Sequence, residues 1–495
     1  MSPTVSGVLI LSALLLLTFL SFSFYRKSQF QSALWMILIL GAMLRLYSSS
    51  TPFLHQWDER YHALVAKNLI DHPLTPTLHE HPVLEYDNNN WVGSNIWLAK
   101  PSFPLWLMSG SIAVFGHHTW AVRLPSILLG LLAIWLTYLI AGRLFGSKTA
   151  VIAAYLHAIH GLTVELIGGG VSSDHVEHTF IVMVQLGILF AVLQRGMKLK
   201  YSFTALSGVF MGLAFLSKWY PALIVLPVAL VIFNGNAQVS WKDLLRHGGV
   251  MMGSALVVAL PWTIYMYQTY PNEMQGILTG TLSAYSETVP GHAKPWYYYL
   301  NKVMVLYGEL IYIPIFFAIY RSWKAKKNRR MILLGFLCWM GIPLLLFSFA
   351  ETKRFTYLLI AAPAFFILTA FFFVKLSYLT VSINNNFKWV GKNVLLLALI
   401  VLPLRYLFER IKLFQEPRQP AAEFYDISQK ELDKLNQKTI VFGTDDYIEM
   451  MFHTDVYAAY RKIPSQDKCE SLEKEGFEVL IYENHQFIKK LPAID

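Results

Sequence analysis

Apolar runs long enough to cross a bilayer recur along almost the whole chain, separated by short polar segments. Twelve runs qualify, at roughly 5–24, 33–49, 123–144, 149–167, 175–194, 201–217, 219–234, 248–267, 303–320, 331–349, 356–374 and 392–408. A spanning helix needs about 20 apolar residues, and backbone groups inside lipid must be satisfied within the segment, so the pattern predicts a polytopic all-α bundle. The run 102–116 is too short for a span. It is expected to be an interfacial or re-entrant helix on the outer face, where Trp106, His117, His118 and Trp120 suit the interface. Counting it as a span would move the later basic loops to the opposite side from Arg26 and Lys27, and would put Asp58 and Asp174 on opposite faces.

After residue 408 the pattern changes. Residues 439–443 and 478–482 read as strands and 466–476 as a helix, which predicts a small α/β domain. The expected organisation is an extra N-terminal span (1–32), a transmembrane domain (33–408, first outer loop 50–122) and a small soluble outer-face α/β domain (409–495).

Composition and charge sharpen this reading. The chain has 495 residues, 55% hydrophobic and 15% charged, with a mean hydropathy of +0.43. That is too apolar for an ordinary soluble protein. The net formal charge is +10, but the basic residues gather in loops: Arg26/Lys27, Arg143/Lys148, Arg195/Lys198/Lys200, Lys242/Arg246, Arg321 through Arg330, and Lys375/Lys388/Lys392. With twelve spans all of these fall on one side, the cytoplasm, so the excess points to membrane orientation and not to nucleic acid. Cys338 lies in an apolar run and Cys469 in the polar tail, which argues against a disulfide. The first 24 residues lack a basic n-region and a small-residue cleavage site, so they are expected to stay as a span.

The outer face then carries the candidate chemistry. Trp57-Asp58-Glu59-Arg60-Tyr61 opens its largest loop, and Gly168-Gly169-Gly170-Val171-Ser172-Ser173-Asp174 closes a short one. A carboxylate at a span end can accept a proton from an attacking hydroxyl or orient it. The plainer alternatives are solvated loop charge for Asp58 and Glu59 and a helix N-cap for Asp174. Glu165 and Glu177 are nearby and less specific. His178, one turn after Asp174, is a second polar partner or a simple turn histidine. Lys218 interrupts apolar sequence, with snorkelling as its plain reading. Lys353 and Arg354 run against the positive-inside bias, which an anionic ligand would explain, and Lys100 is a candidate for the same cluster. Carboxylates and cations on one face suit a displacement in which a phosphate leaves. His55, His62, His72, His79 and His81 crowd the first outer loop. Only His79-Glu80-His81 is suggestive, so no metal ligand and no cofactor is assigned, and a divalent metal stays open.

The order of motifs resembles a known family. Asp58-Glu59-Arg60-Tyr61 is followed by Ala99-Lys100-Pro101 before Pro104-Leu105-Trp106, then Arg123-Leu124-Pro125-Ser126, Arg143-Leu144-Phe145-Gly146 and Asp174. Gly212-Leu213-Ala214-Phe215-Leu216-Ser217-Lys218, Leu260-Pro261-Trp262, Pro295-Trp296-Tyr297-Tyr298-Tyr299 and Lys353-Arg354-Phe355-Thr356-Tyr357-Leu358-Leu359 complete the series. Over roughly residues 33–375 the chain resembles C-type glycosyltransferases of the dolichyl-phosphate-mannose protein mannosyltransferase superfamily, which includes the lipid A aminoarabinose transferases. The resemblance implies a GT-C type helical bundle in a bacterial cytoplasmic membrane, with its site facing the periplasm or outside. It implies inverting sugar transfer from a polyprenyl-phosphate donor to a lipid A, glycan or protein acceptor. It makes Asp58 the leading catalytic residue beside Glu59, with Asp174 a second acidic site residue. Lys218, Lys353 and Arg354, joined by Lys100, Arg60 and Tyr357, would serve the donor phosphate. The chain departs from the pattern in its extra N-terminal span, in its Ala-Lys-Pro-Ser-Phe-Pro loop and in its short tail. The rival from another class is a membrane transporter or lipid flippase; ionisable residues at span ends and the lack of a visible repeat argue against it.

Overall fold

The computed structural model describes residues 2–86, 94–168, 172–195, 201–236, 239–289, 291–379, 386–415, 422–483 and 486–489. Gly169, Gly170, Val171, Lys198 and Lys200 lie outside the described residues. Helices dominate: α1 (Pro3–Arg26), α2 (Phe30–Ser48), α3 (Asp58–Asn68), α4 (Ser102–Phe115), α5 (Thr119–Phe145), α6 (Ser147–Ala158), α7 (Gly161–Glu165), α8 (His175–Gln194) and α9 (Ser202–Lys218) form the first half. There follow α10 (Val225–Asn234), α11 (Trp241–Thr269), α12 (Pro271–Ser286), α13 (Tyr298–Tyr307), α14 (Tyr312–Lys324), α15 (Lys327–Phe349), α16 (Ala362–Ser377) and α17 (Asn386–Ile411). The tail holds α18 (Gln429–Leu432), β1 (Thr439–Phe442), α19 (Tyr447–His453), β2 (Ala458–Tyr460), α20 (Gln466–Lys474), β3 (Glu478–Glu483) and β4 (Gln486–Ile488).

Every expected span is helical, but several are not single rods. Among the described residues seven helices are long and apolar enough to cross a membrane, or eight if the bent pair α13–α14 is one span. That pair turns by 103° across Gly308, whose φ of 100° ends α13. The expected span 149–167 is broken after Ala158. There the buried Arg45 takes the Ala158 carbonyl, and Thr163 Oγ1 takes that of His160. Likewise Trp219, at φ 57°, separates α9 from the 3-10 turn Tyr220–Ile224 that leads into α10. The segment 102–116 forms α4, which is too short to be among the spanning helices; Trp106 Nε1 on it donates to Pro73 O of the outer loop.

Small residues let helices close up where no hydrophobic force drives them together in lipid. Gly208 and Gly212, four apart on α9, face α11; a Cβ on either would collide with the backbone of Met251 or Ala255. At the basic end, Arg329 Nη1 donates to Leu144 O at 2.8 Å, and Lys148 sits over the Tyr378 ring. The loops near residues 145, 329 and 378 therefore meet, as their shared charge implied.

The tail is a four-stranded sheet of order β2-β1-β3-β4, parallel except for β4. The two expected strands and the helix 466–476 correspond to β1, β3 and α20, while β2, β4 and α19 were not read. Strand residues alternate between faces: Ile440 and Phe442 pack with Cys469 and Leu472 of α20, whereas Val441 and Leu480 pack with α19 and with α3.

Candidate functional site

The acidic motif forms the first turn of α3, beyond the connection 49–57 that follows α2. Adjacent helical residues point about 100° apart, and Asp58 and Glu59 meet different fates. Asp58 is half-buried, while Glu59 is fully buried. Arg123, from the start of α5, grips Glu59 with both arms: Nε to Oε1 at 2.7 Å and Nη2 to Oε2 at 2.9 Å. The rest of that guanidinium caps the end of α2 and the turn beyond it, donating to the carbonyls of Ser49, Thr51 and Phe53. His55 N donates to Glu59 Oε2 at 2.7 Å, and His175 Nε2 to Oε1 at 2.9 Å. Burial alone would raise the Glu59 carboxyl; Arg123 and His175 outweigh it and hold it well below the usual carboxylate range. Glu59 was expected beside Asp58 as a catalytic residue. Its oxygens are occupied by these donors and its side chain is fully buried, which is the environment of a structural ion pair.

Asp174 is the N-cap of α8. Its Oδ1 accepts Val176 N–H at 3.1 Å, and Oδ2 lies 3.8 Å from Lys100 Nζ. The N-cap alternative is thus correct, and it still leaves one oxygen facing the cation. Burial would raise this carboxyl; Lys100, His62 and Lys218 together lower it. Burial opposes charge on Lys100 as well, but the carboxylates of Asp174, Asp58 and Glu177 prevail and keep its ammonium well above its ordinary value. The preceding glycine has a local cause. Gly168, at φ +135°, lies where a Cβ would strike the Arg123 guanidinium.

Lys218, at the end of α9, pairs with Glu177 of α8. It lies 5.4 Å from the centre of the Tyr357 ring and 5.9 Å from that of Phe180. The segment bearing Arg354 is stapled to the connection between α12 and α13: Thr352 Oγ1 accepts Val289 N–H and donates to Glu287 O, and Lys353 N donates to His292 O. Arg354 is half-buried and adds positive potential at Lys100. Asp58, Asp174, Lys100, Lys218, Tyr357 and Arg354 therefore assemble at one end of the bundle, from five separate stretches of chain.

Two expected donor-phosphate residues are turned elsewhere. The Arg60 guanidinium meets Glu449 of the tail at 3.2 Å. The Lys353 ammonium is buried and bonded to the Ala350 carbonyl. Conversely, the sequence reading gave no role to Arg123, His175 or Glu177. Glu177 had a usable signal, lying three residues after Asp174 on the same helical face. His62 was noted only among the loop histidines. It is fully buried one turn after Asp58, and neither ring nitrogen meets a hydrogen-bond partner among the described residues. Burial lowers its pKa to about 4, so the ring is neutral at ordinary pH. Among the described residues no group of three or more His, Cys, Asp or Glu converges as for a metal ion. Glu165 pairs with Arg410 of α17, and His178 is buried.

The fold is a GT-C type membrane bundle with a small α/β tail, the architecture expected from the sequence. Residues 99–265 match the sequence model of the family described as dolichyl-phosphate-mannose-protein mannosyltransferase, so the expected superfamily resemblance holds. An undecaprenyl phosphate-alpha-4-amino-4-deoxy-L-arabinose arabinosyl transferase 2 of Pseudomonas fluorescens is 26% identical over 281 residues, 55% of this chain and 50% of that protein. A corresponding transferase of Pseudomonas aeruginosa is 27% identical over 282 residues, 54% of this chain and 49% of its own. The chain spans about half the length of the curated relatives it matches. The crystal structure of ArnT from Cupriavidus metallidurans bound to undecaprenyl phosphate superposes with a TM-score of 0.66 at 17% identity, covering 93% of each chain. The archaeal oligosaccharyltransferase AglB from Archaeoglobus fulgidus, in complex with an inhibitory peptide and a dolichol-phosphate, gives 0.57 at 16% identity, over 92% of this chain and 70% of that one.

Proposed function

We propose that this chain is an integral-membrane glycosyltransferase that moves a sugar from a polyprenyl-phosphate donor to an acceptor at the outer face of a bacterial cytoplasmic membrane. The observation that carries this reading is the meeting of Asp58 and Asp174 with Lys100 and Lys218 at the ends of apolar helices. A lipid-linked donor can keep its tail in the bilayer while its phosphate enters that cluster. In the transfer an acceptor oxygen attacks the anomeric carbon, the carbon–oxygen bond to phosphate breaks, and polyprenyl phosphate leaves with the bonding electrons. Asp58 takes the proton of a hydroxyl acceptor, or aligns an acceptor that is already an anionic phosphate. Lys100, Lys218 and Arg354 offset the charge growing on the departing phosphate. The names of the relatives favour an undecaprenyl-phosphate-linked 4-amino-4-deoxy-L-arabinose as donor.

The test is to reconstitute the purified protein with labelled polyprenyl-phosphate sugars and envelope extract and to follow the label. Covalent transfer to an acceptor, abolished in Asp58→Asn while that variant still inserts and stays monodisperse, supports the reading. Sugar-lipid that crosses the vesicle membrane without any new covalent product would identify a flippase instead.

A further inference from the structure

The helix that carries Asp58 is short, 11 residues, and a helix of that length is marginal on its own. One side is fixed to the bundle through Glu59. The other side lies against α19 of the tail, and the contacts there are built in depth. Arg60 Nη1 reaches Glu449 Oε1 and Oε2 at 3.2 and 3.4 Å, and Glu449 is fully buried. At the opposite end of α3, Lys67 Nζ donates to the carbonyls of Met451, Phe452 and Thr454 at 2.6, 3.3 and 3.0 Å. These groups are the otherwise unsatisfied, electronegative C-terminus of α19. Between the two ends, Ala63 and Leu64 share one apolar core with Ile448, Met450 and Phe452. Just before α3, Leu54 N donates to the Tyr425 hydroxyl at 2.9 Å.

We infer that the tail domain is a positioning clamp for the reaction, with Arg60 and Glu449 as the pair that sets where Asp58 stands. This rests on the transferase reading. A buried carboxylate has to keep its cation, and that cation is two residues from Asp58 in the same helical turn. With both ends of α3 tied to α19, the helix cannot slide or roll without breaking one of the two ties. The effect on catalysis is through orientation: Arg60 and Glu449 touch each other, while Asp58 faces the Lys100 cluster.

The experiment compares Glu449→Gln, the charge swap Arg60→Glu with Glu449→Arg, and Asp445→Asn as a control, all in the full-length reconstituted protein. Asp445 belongs to the same domain, but its ion pair with Arg461 is exposed, at 74% and 76%. Glu449→Gln should lower kcat on the order of tenfold to a hundredfold with donor KM within about twofold, as expected of a misplaced group. The swap should recover most of that loss, and Asp445→Asn should match the wild type. Unchanged kcat in Glu449→Gln, or a loss that tracks only the amount of folded protein and is not recovered by the swap, would overturn the clamp. If the wild type transfers no label at all, the transferase reading fails separately. Hydrogen exchange over residues 58–68 then decides the clamp: faster exchange in Glu449→Gln supports it, and unchanged exchange removes it.

Discussion

His175 Nε2 lies 2.9 Å from Glu59 Oε1, so the residue after one site aspartate is bonded to the residue after the other. Asp58 and Asp174 are 116 residues apart in sequence by the same count that separates Glu59 from His175. Their spacing in space is set by this second pair, which is itself held by Arg123 and by Ser126 Oγ, 2.8 Å from His175 Nδ1. The bonded pair Glu59 and His175 thus sits one position beyond the proposed site residues Asp58 and Asp174 in the same two motifs.

Removing one side of that scaffold should be costly. Glu59→Ala leaves the Arg123 guanidinium buried without its carboxylate, and breaking a buried pair in this way destabilises by about 3–5 kcal/mol. Arg123→Ala should cost a similar amount, and the double variant much less than the sum, because the two residues belong to one network. Thermal unfolding of the purified protein in detergent measures all three. Additive losses would show that the pair does not act as a unit.

The same carboxylate gives a pH signature. The folded pKa of Glu59 lies below its ordinary value of about 4.3. Its contribution to stability is therefore complete above that ordinary value and is withdrawn as pH falls toward the folded one. Between about pH 5 and about pH 2 the melting temperature of the wild type should fall more steeply than that of Glu59→Gln, which has no proton to take up at this position. Parallel slopes would mean that the carboxylate titrates normally in the fold.

Lys218 is held by Glu177 and faces the Tyr357 ring. Substituting Lys218 alone strands a buried carboxylate, so the informative variant is Lys218→Met with Glu177→Gln, which removes both charges together. It should fold normally and raise the KM for the lipid-phosphate donor about tenfold or more, the loss of one charge-assisted contact. Steady-state kinetics with donor and acceptor varied in turn is the check. An equal rise in both KM values would place Lys218 in the framework instead of at the phosphate.

How much of this was written plainly in the sequence differs from residue to residue. Hydropathy located the helices because a bilayer imposes its thickness on every span. It missed the break at His160, since a carbonyl captured by Arg45 leaves no mark on an apolar average. The gathering of Asp58, Asp174, Lys100 and Lys218 was legible through topology: motifs on one face of a bundle have little room to avoid each other. The different burial of Asp58 and Glu59 was not legible, because like carboxylates at adjacent positions are separated only by the rotation of the helix. Arg60 misled for a further reason. Its partner, Glu449, is 389 positions away, in a domain whose docking face no local pattern reveals.

His62 poses the sharpest trade between stability and activity. A buried imidazole with neither nitrogen bonded costs about 1–3 kcal/mol, and burial keeps it neutral by lowering its pKa to about 4. It lies one turn from Asp58 on the same side of α3, within the field of Asp174 and Lys100. A ring kept there without partners in the fold is placed to bond a substrate that enters beside Asp58. His62→Leu replaces it with an apolar side chain of similar size and removes the unsatisfied nitrogens. The variant should melt about 1–3 °C higher, the shift expected for about 1–3 kcal/mol when the unfolding entropy scales with a chain of 495 residues. Its kcat/KM should fall on the order of tenfold to a hundredfold, as when a site loses a hydrogen bond made mainly in the transition state. Differential scanning fluorimetry and the labelled-donor assay, run on the same preparation, separate the two effects. A variant that is both more stable and fully active would reduce His62 to packing against the Trp97 ring.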